Sequence, residues 1–130
     1  MDDNAMYWPD LCDDDLITAK LLLKSKRLLH MGFFCHMIVE KALKAAVTME
    51  TGKIPPKIHD LQKLAVYENV FHDLSSEKLA LIDALAPLQI EARYPMYKEA
   101  MAATLTVKKC KKILIETEEF LCWIKQRLGN

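Results

Sequence analysis

The residues best suited to chemistry fall into two short runs that could bind an anion. The first run is Glu40-Lys41-x-x-Lys44, and the second contains Arg93 and Tyr94 directly before Pro95. Because a proline disfavours helix in the residue before it, the second run predicts a helix end with a partly exposed Arg93. The planar guanidinium of arginine can bind a phosphate or a carboxylate through two hydrogen bonds, and a tyrosine ring can stack on a base. The structural alternatives are an Arg93 that caps helix carbonyls and, for Glu40 and Lys41, an intrahelical or interhelical ion pair that contributes little if exposed.

The histidines and cysteines do not form a recognisable metal motif. The chain has four of each, with no C-x-x-C pair and no two histidines at i and i+4, although closely spaced ligands are typical of zinc sites. His59-Asp60 is a dipeptide found in metal phosphohydrolases, which need further His and Asp ligands that a lone dipeptide does not supply. We therefore predict no metal and no cofactor. In this interpretation His59 orders a loop and Asp60 caps the next helix.

A cluster of lysines, made up of Lys108, Lys109, Lys111 and Lys112, occupies the first turns of the last predicted helix. The amino end of a helix already carries positive potential, so this charge order opposes simple helix electrostatics. It would suit an anion such as phosphate or an RNA backbone. The simpler interpretation is a solvated face that a Lys112–Glu116 pair partly neutralises.

Composition restricts the class of protein. The chain has 130 residues, 52% of them apolar, and 18 basic residues balance 18 acidic ones. This length suits one domain spanning residues 1–130, and the zero net charge argues against a generally basic nucleic-acid binder. The acidic start Met1-Asp2-Asp3-Asn4 and the short apolar runs predict neither a signal peptide nor a membrane span. We therefore expect a cytoplasmic protein with reduced thiols.

The elements that must position these residues are helices. The apolar periodicity predicts helices over about 11–30, 33–50, 60–67, 76–92 and 107–128. Gly32 is expected to separate the first two, Pro87 to kink the fourth, and Pro95 to open an irregular stretch. The second helix is apolar over most of its circumference, which is typical of a central helix. The sequence thus predicts an all-α, compact up-and-down bundle of about five helices.

Side chains that cap helices mark several of these boundaries. Asp60, either Ser75 or Ser76, and Thr106 stand where a helix should begin, because their side-chain oxygens can accept hydrogen bonds from free backbone N–H groups. Gly129 stands at the position after the last helix, where a left-handed residue is common.

Four segments, taken in order, resemble the HEPN family (higher eukaryotes and prokaryotes nucleotide-binding domain). They are Trp8 with Asp15-Leu16 and Ala19; Phe34 through Ala45, including Glu40-Lys41-Ala42-Leu43-Lys44-Ala45; Gly52, Pro55-Pro56, His59-Asp60-Leu61 and Leu64; and Ala92-Arg93-Tyr94-Pro95. The resemblance covers nearly the whole chain. It implies a short antiparallel helical bundle, usually homodimeric, that is associated with nucleotides or RNA. Many prokaryotic members are encoded beside a minimal nucleotidyltransferase and act as toxin–antitoxin-like pairs.

The family also contains ribonucleases, marked by an Arg that is followed after four to six residues by His. In those enzymes the Arg would stabilise phosphate charge and the His would move protons during attack by the 2′-hydroxyl. After Arg93 the matching positions hold Lys98, Glu99 and Ala100 instead. A lysine is a poor proton shuttle at neutral pH. The ribonuclease interpretation therefore depends on whether His59 approaches Arg93 in the fold.

Three hypotheses follow. The first is a non-catalytic HEPN-type module that binds a nucleotide or RNA through Arg93, Tyr94, Lys41, Lys44 and His59, has no catalytic residue, and forms a homodimer through apolar helix faces. Such a module could also pair with a minimal nucleotidyltransferase in a toxin–antitoxin-like system. The second is a purely structural adaptor, and the third is an unconventional HEPN ribonuclease without the usual motif.

Overall fold

The computed structural model describes residues 7–91 and 93–129. Six α-helices follow one another: α1 (Trp8–Lys24), α2 (Leu28–Thr51), α3 (Leu61–Ala65), α4 (Ser76–Leu85), α5 (Pro95–Thr104) and α6 (Val107–Arg127). Single 3-10 turns, Tyr67–Asn69 and Ala86–Leu88, follow α3 and α4. Within these residues there is no β-strand. The prediction of an all-α helical bundle is confirmed.

Helix α2 forms the centre of the bundle. It packs against α1 and α6 along its length and also contacts α3, α4 and α5. Its apolar side chains are buried on nearly every side, which removes them from water and stabilises the fold. The fully buried residues of α2 include Met31, Cys35, Ile38, Val39, Ala42, Leu43, Ala46 and Val47.

The predicted caps at three helix starts are present. Asp60 Oδ1 accepts hydrogen bonds from the backbone N–H groups of Gln62 and Lys63 at 2.9 and 3.1 Å. Ser75, rather than Ser76, caps α4, and Thr106 caps α6. Each side-chain oxygen satisfies a backbone donor that the helix itself leaves free.

The boundary between the first two helices differs from the prediction. α1 ends at Lys24 and α2 begins at Leu28, with Lys26 in the left-handed conformation at φ 61°. Gly32 lies inside α2, so the predicted break there is wrong. A Cβ atom at Gly32 would lie 2.7 Å from Leu88 Cδ1. The glycine therefore makes room for a neighbouring segment and does not end a helix.

The two prolines in the second half of the chain act in different ways. α4 ends at Leu85, well before the predicted end at Ala92, and Pro87 lies in the 3-10 turn that follows. Proline has no N–H group to continue the helix. Pro95 begins α5, so the prediction of an irregular stretch after it is wrong, because proline suits the first turn of a helix. Ala92 itself lies outside the described residues.

None of the helices described for this chain is long and apolar enough to cross a membrane. Cys12, Cys35 and Cys110 are buried, Cys122 is exposed, and all four are free thiols. Burial raises the pKa of both the Cys12 and the Cys35 thiols to about 12.

Candidate functional site

Arg93 and His59 line one groove of about 450 Å³. The groove lies between the amino end of α3 and the segment that follows α4. The cap at Asp60 sets the start of α3, and the 3-10 turn after α4 leads the chain back toward it. The groove is lined by His59, Asp60, Gln62, Asp83, Ala86, Pro87, Gln89 and Arg93.

The Arg93 side chain is exposed but held in position. Its guanidinium carbon lies 4.8 Å from the centre of the Tyr97 ring, a cation–π contact. The Tyr97 hydroxyl donates a hydrogen bond of 2.8 Å to the Pro87 carbonyl and so attaches α5 to the groove wall. Arg93 Nε donates to the Gln89 carbonyl at 3.4 Å. Among the described residues its two terminal amino groups have no hydrogen-bond partner, so they are available to an anion.

The His59 ring is oriented by Glu40. His59 Nδ1 lies 2.8 Å from Glu40 Oε2, and an ionised carboxylate can only accept, so Nδ1 carries the proton. The other ring nitrogen, Nε2, is then the acceptor in the neutral imidazole. The His59 side chain is 67% exposed, whereas that of Glu40 is 13% exposed. A largely buried carboxylate thus fixes the tautomer of a histidine that faces solvent.

A second histidine, His36, lies behind this pair. It is fully buried, and its Nδ1 is 3.7 Å from Glu40 Oε1, beyond hydrogen-bonding distance. Burial lowers the pKa of His36 below its ordinary value of 6.5, although the charge of Glu40 opposes the shift. His36 is therefore neutral near neutral pH, which leaves the charge of Glu40 to interact with His59 and Lys44.

The two predicted lysines contact carboxylates and do not line the groove. Lys44 Nζ lies 3.2 Å from Glu40 Oε2, the same oxygen that His59 contacts. Lys41 Nζ lies 2.6 Å from Asp15 Oδ2 and joins α2 to α1. The structure thus brings Arg93 and His59 together and places both lysines in ion pairs.

Tyr94 is 84% exposed and does not line the groove. It precedes Pro95 at the start of α5 and has no side-chain hydrogen bond among the described residues. Its ring is the most exposed large aromatic surface beside Arg93.

The groove also contains residues that the sequence did not single out. Gln62 Nε2 donates to Asp83 Oδ1 at 2.9 Å, and the Gln89 side chain accepts from the Glu91 amide at 3.0 Å. Gln62 and Asp83 are distant from Arg93 in the sequence, and only the fold brings them near it, whereas Gln89 precedes Arg93 by four residues. Tyr97 had a weak signal, since it follows Arg93 by four residues.

Charge in the groove is mixed. Asp60 and Asp83 lie beside Arg93 and His59, and both carboxylates already accept hydrogen bonds from α3. Such a groove suits a ligand that has one phosphate and polar groups able to donate and accept hydrogen bonds. It suits a long polyanion less well. No group of three or more His, Cys, Asp and Glu side chains in the described part of the chain could hold a metal ion.

Comparison with known proteins gives one result. The family model described as "HEPN domain" matches residues 5–128, a span that contains all six helices and every residue of the groove. No curated protein and no solved structure gives a significant match to the chain. The match extends over nearly all of the 130 residues and agrees with the helical bundle. The chain therefore belongs to the HEPN domain family.

Proposed function

We propose that this chain is a non-catalytic HEPN module that binds the phosphate of a nucleotide or of an RNA end in the Arg93 groove. Membership of the family supports a nucleotide- or RNA-related module in general. The observation that carries the proposal is the pair of free amino groups on Arg93, which lines the same groove as the oriented His59. The groove has the mixed polarity that a nucleotide requires.

Each side chain then has a distinct role. The guanidinium of Arg93 pairs with two phosphate oxygens, since its planar fork matches them. Gln62, Gln89 and Asp83 offer amide and carboxylate groups to the sugar or base. Tyr94 supplies a ring on which a base can stack. His59 contributes a polar contact from its exposed edge.

Lys41 and Lys44 support the site from a distance in this proposal. Lys44 contacts the same Glu40 oxygen that His59 contacts, and so helps to hold the Glu40 carboxylate in position beside His59. Lys41 holds α1 against α2 through Asp15. We therefore expect that changing Lys44 weakens binding less than changing Arg93.

The test is calorimetric titration with nucleoside monophosphates and inorganic phosphate. Saturable binding by the wild type should fall by roughly 10- to 100-fold in Arg93→Ala, because a hydrogen-bonded charge contributes about 1.5–3 kcal/mol. Arg27→Ala is the matched control, since Arg27 is exposed and does not line the groove. Equal losses in both variants, or no binding by the wild type, would contradict the proposal.

A ribonuclease is the second candidate, because the fold supplies a histidine beside Arg93 that the local sequence lacks. His59 Nε2 could remove the proton of a 2′-hydroxyl, whose oxygen attacks the adjacent phosphorus. The P–O5′ bond breaks, the leaving oxygen takes up a proton, and a 2′,3′-cyclic phosphate remains. Arg93 would stabilise the negative charge that develops on the phosphoryl oxygens.

Incubation with end-labelled RNA separates the two functions. The ribonuclease requires cleavage by the wild type that both Arg93→Ala and His59→Gln abolish, with cyclic phosphate at the new ends. Binding without cleavage supports the non-catalytic module. His72→Gln is a suitable control, since His72 is also exposed and does not line the groove.

We further propose that the protein is a homodimer and pairs with a minimal nucleotidyltransferase in a toxin–antitoxin-like system. HEPN domains commonly dimerise, and α1 leaves Leu11, Ile17 and Leu21 from 45% to 61% exposed. Light scattering should give twice the chain mass of 14.9 kDa. Co-expression with a nucleotidyltransferase encoded beside this chain should yield a stoichiometric complex. A monomer, or no complex, would remove the corresponding part of the proposal.

A further inference from the structure

A second groove lies where the carboxyl end of α1 meets the amino end of α6. It has a volume of about 450 Å³, and four of the residues that line it are lysines. We call these four, Lys20, Lys24, Lys26 and Lys111, the lysine surface. The floor between them is apolar and is formed by Leu23, Val107 and Leu114.

The lysine surface brings lysines from the end of α1 and from α6 into one groove, and no carboxylate side chain is among the described residues that line it. Lys41, Lys44, Lys53 and Lys125 each form an ion pair elsewhere in the fold. In the lysine surface Lys20 pairs with Glu118 at 3.0 Å. Lys24, Lys26 and Lys111 form no ion pair with any described residue. Although the chain has a net charge of zero, positive charge is concentrated at this end of α1.

Two other lysines of the α6 cluster, Lys108 and Lys112, lie on different sides of the helix. Lys108 is three residues before Lys111 and so lies on nearly the same face. Lys112 instead lines a separate groove together with Glu77, Glu116 and Glu119. Lys112 and Glu116 form no ion pair, although both line that other groove. Of the four residues of the lysine surface, only Lys20 is paired with a carboxylate of the described part of the chain.

The electrostatic potentials of the two helix ends at this place largely cancel each other. The amino end of α6 contributes positive potential, and the carboxyl end of α1 contributes negative potential that Lys24, in its last turn, compensates. The remaining excess comes from Lys26, Lys111 and the neighbouring Lys108. A surface of this kind attracts an anion with several charges rather than a single one.

We propose that the lysine surface binds the phosphodiester backbone of RNA. This inference rests on the proposed function, in which the Arg93 groove takes a phosphate and the adjoining base. Lysines bind phosphate as point charges on flexible stems, which suits contacts that do not read sequence. The residues that line the lysine surface include no aromatic ring, so it offers no platform for base stacking.

Helix α5 joins the two sites along the chain. It begins directly after Arg93 and Tyr94 and ends three residues before Val107. A helix of ten residues is about 15 Å long, and in this inference one short RNA strand contacts both sites. The Arg93 groove then receives one nucleotide, and the lysine surface holds the backbone of the same strand.

The experiment measures fluorescence anisotropy of a labelled, unstructured RNA of mixed sequence over a range of salt concentrations. The variant Lys24→Gln/Lys26→Gln/Lys111→Gln removes three charges without shortening the side chains severely. The matched control is Lys53→Gln/Lys57→Gln/Lys63→Gln, which removes three exposed lysines outside the lysine surface. Circular dichroism establishes that both variants keep the helical fold.

The expected result is a change in both affinity and salt dependence. Each lost contact lowers the slope of log K against log salt by about 0.7, so three contacts lower it by about 2. At ~0.1 M salt the same relation gives a loss of up to roughly 100-fold. The control variant should retain at least a third of the wild-type affinity, and competition by polyglutamate should be weak.

Several outcomes overturn the inference: equal losses in the two variants, an unchanged salt slope, competition by polyglutamate as strong as that by RNA, or no RNA binding by the wild type. Titration with a nucleoside monophosphate separates this inference from the proposed function. The lysine variant should bind the mononucleotide as the wild type does, whereas Arg93→Ala should not. Loss of mononucleotide binding in the lysine variant would contradict the inference that the two sites are independent.

Discussion

Replacement of Gly32 by alanine tests the packing that positions the Arg93 groove. Gly32 lies inside α2, and an added Cβ would be 2.7 Å from Leu88 Cδ1. Non-bonded carbon atoms are normally about 3.5–4.0 Å apart, so the buried Leu88 side chain or one of the two segments has to move by about 1 Å. Leu88 is 2% exposed and directly follows Ala86 and Pro87, which line the groove.

Two opposing effects set the magnitude. Alanine is favoured over glycine in a helix interior by about 0.5–1 kcal/mol. Overpacking in a well-filled core costs about 1–3 kcal/mol. The free energy of unfolding of Gly32→Ala should therefore fall, by up to about 2.5 kcal/mol. In a Leu88→Ala background the collision is absent, and the same substitution should raise the free energy of unfolding by about 0.5–1 kcal/mol.

The assay is urea unfolding of the four proteins of this double-mutant cycle, followed by helix signal. A reversal in the sign of the Gly32→Ala effect identifies the contact with Leu88 as the reason for glycine. The reasoning is refuted if Gly32→Ala stabilises the wild-type background or has the same effect in both backgrounds. The first result would mean that the segment at Leu88 moves at little cost in free energy. The second would mean that Gly32 and Leu88 do not interact.

Three further predictions concern stability and the thiols. Burial lowers the pKa of His36 from 6.5, so the unfolded chain binds more protons than the folded protein below that pH. The free energy of unfolding should therefore decrease as the pH falls through 6.5, and it should decrease less in His36→Gln. Identical pH profiles of the two proteins would contradict this. Folded protein should react with a thiol reagent through Cys122 alone, because the other three thiols are buried and burial raises the pKa of Cys12 to about 12. Unfolding should make all four thiols reactive. Rapid modification of Cys12 in folded protein would contradict this prediction. Arg127→Ala should lower the free energy of unfolding by about 2–3 kcal/mol, because Arg127 donates two hydrogen bonds to the Glu50 carboxylate. Arg127→Lys should lose less stability than Arg127→Ala. Urea midpoints that match the wild type would refute this prediction.

Local physical chemistry was enough to predict the class of fold and several boundaries. The apolar residues of α2 recur around most of the helix, and that pattern requires neighbours on every side whatever the topology. The caps at Asp60 and Thr106 bond to backbone groups two or three residues away, so their function depends only on adjacent sequence. Pro95 could have been assigned correctly by the same local rules, because proline favours a helix start.

Only part of the candidate site could be predicted in this way. Arg93 and His59 were identified separately, by residue type and by the family resemblance, and their position in one groove is a result of the fold. The roles of Lys41 and Lys44 depend on their partners Asp15 and Glu40. The Glu40–Lys44 pair lies within α2 at a spacing of four residues, which the sequence does show. The Lys41–Asp15 pair joins two helices and leaves no trace in the spacing of either residue.

The sequence by itself determined that the chain is helical, that α2 is central and that the family is HEPN, because periodicity, capping and ordered motifs are properties of neighbouring residues. The tertiary structure alone decided that Gly32 accommodates Leu88 and that unpaired lysines of α1 and α6 share one groove. Such features arise where distant segments meet. The distance between two side chains across a bundle follows from the packing of all the helices together, and no local pattern encodes it.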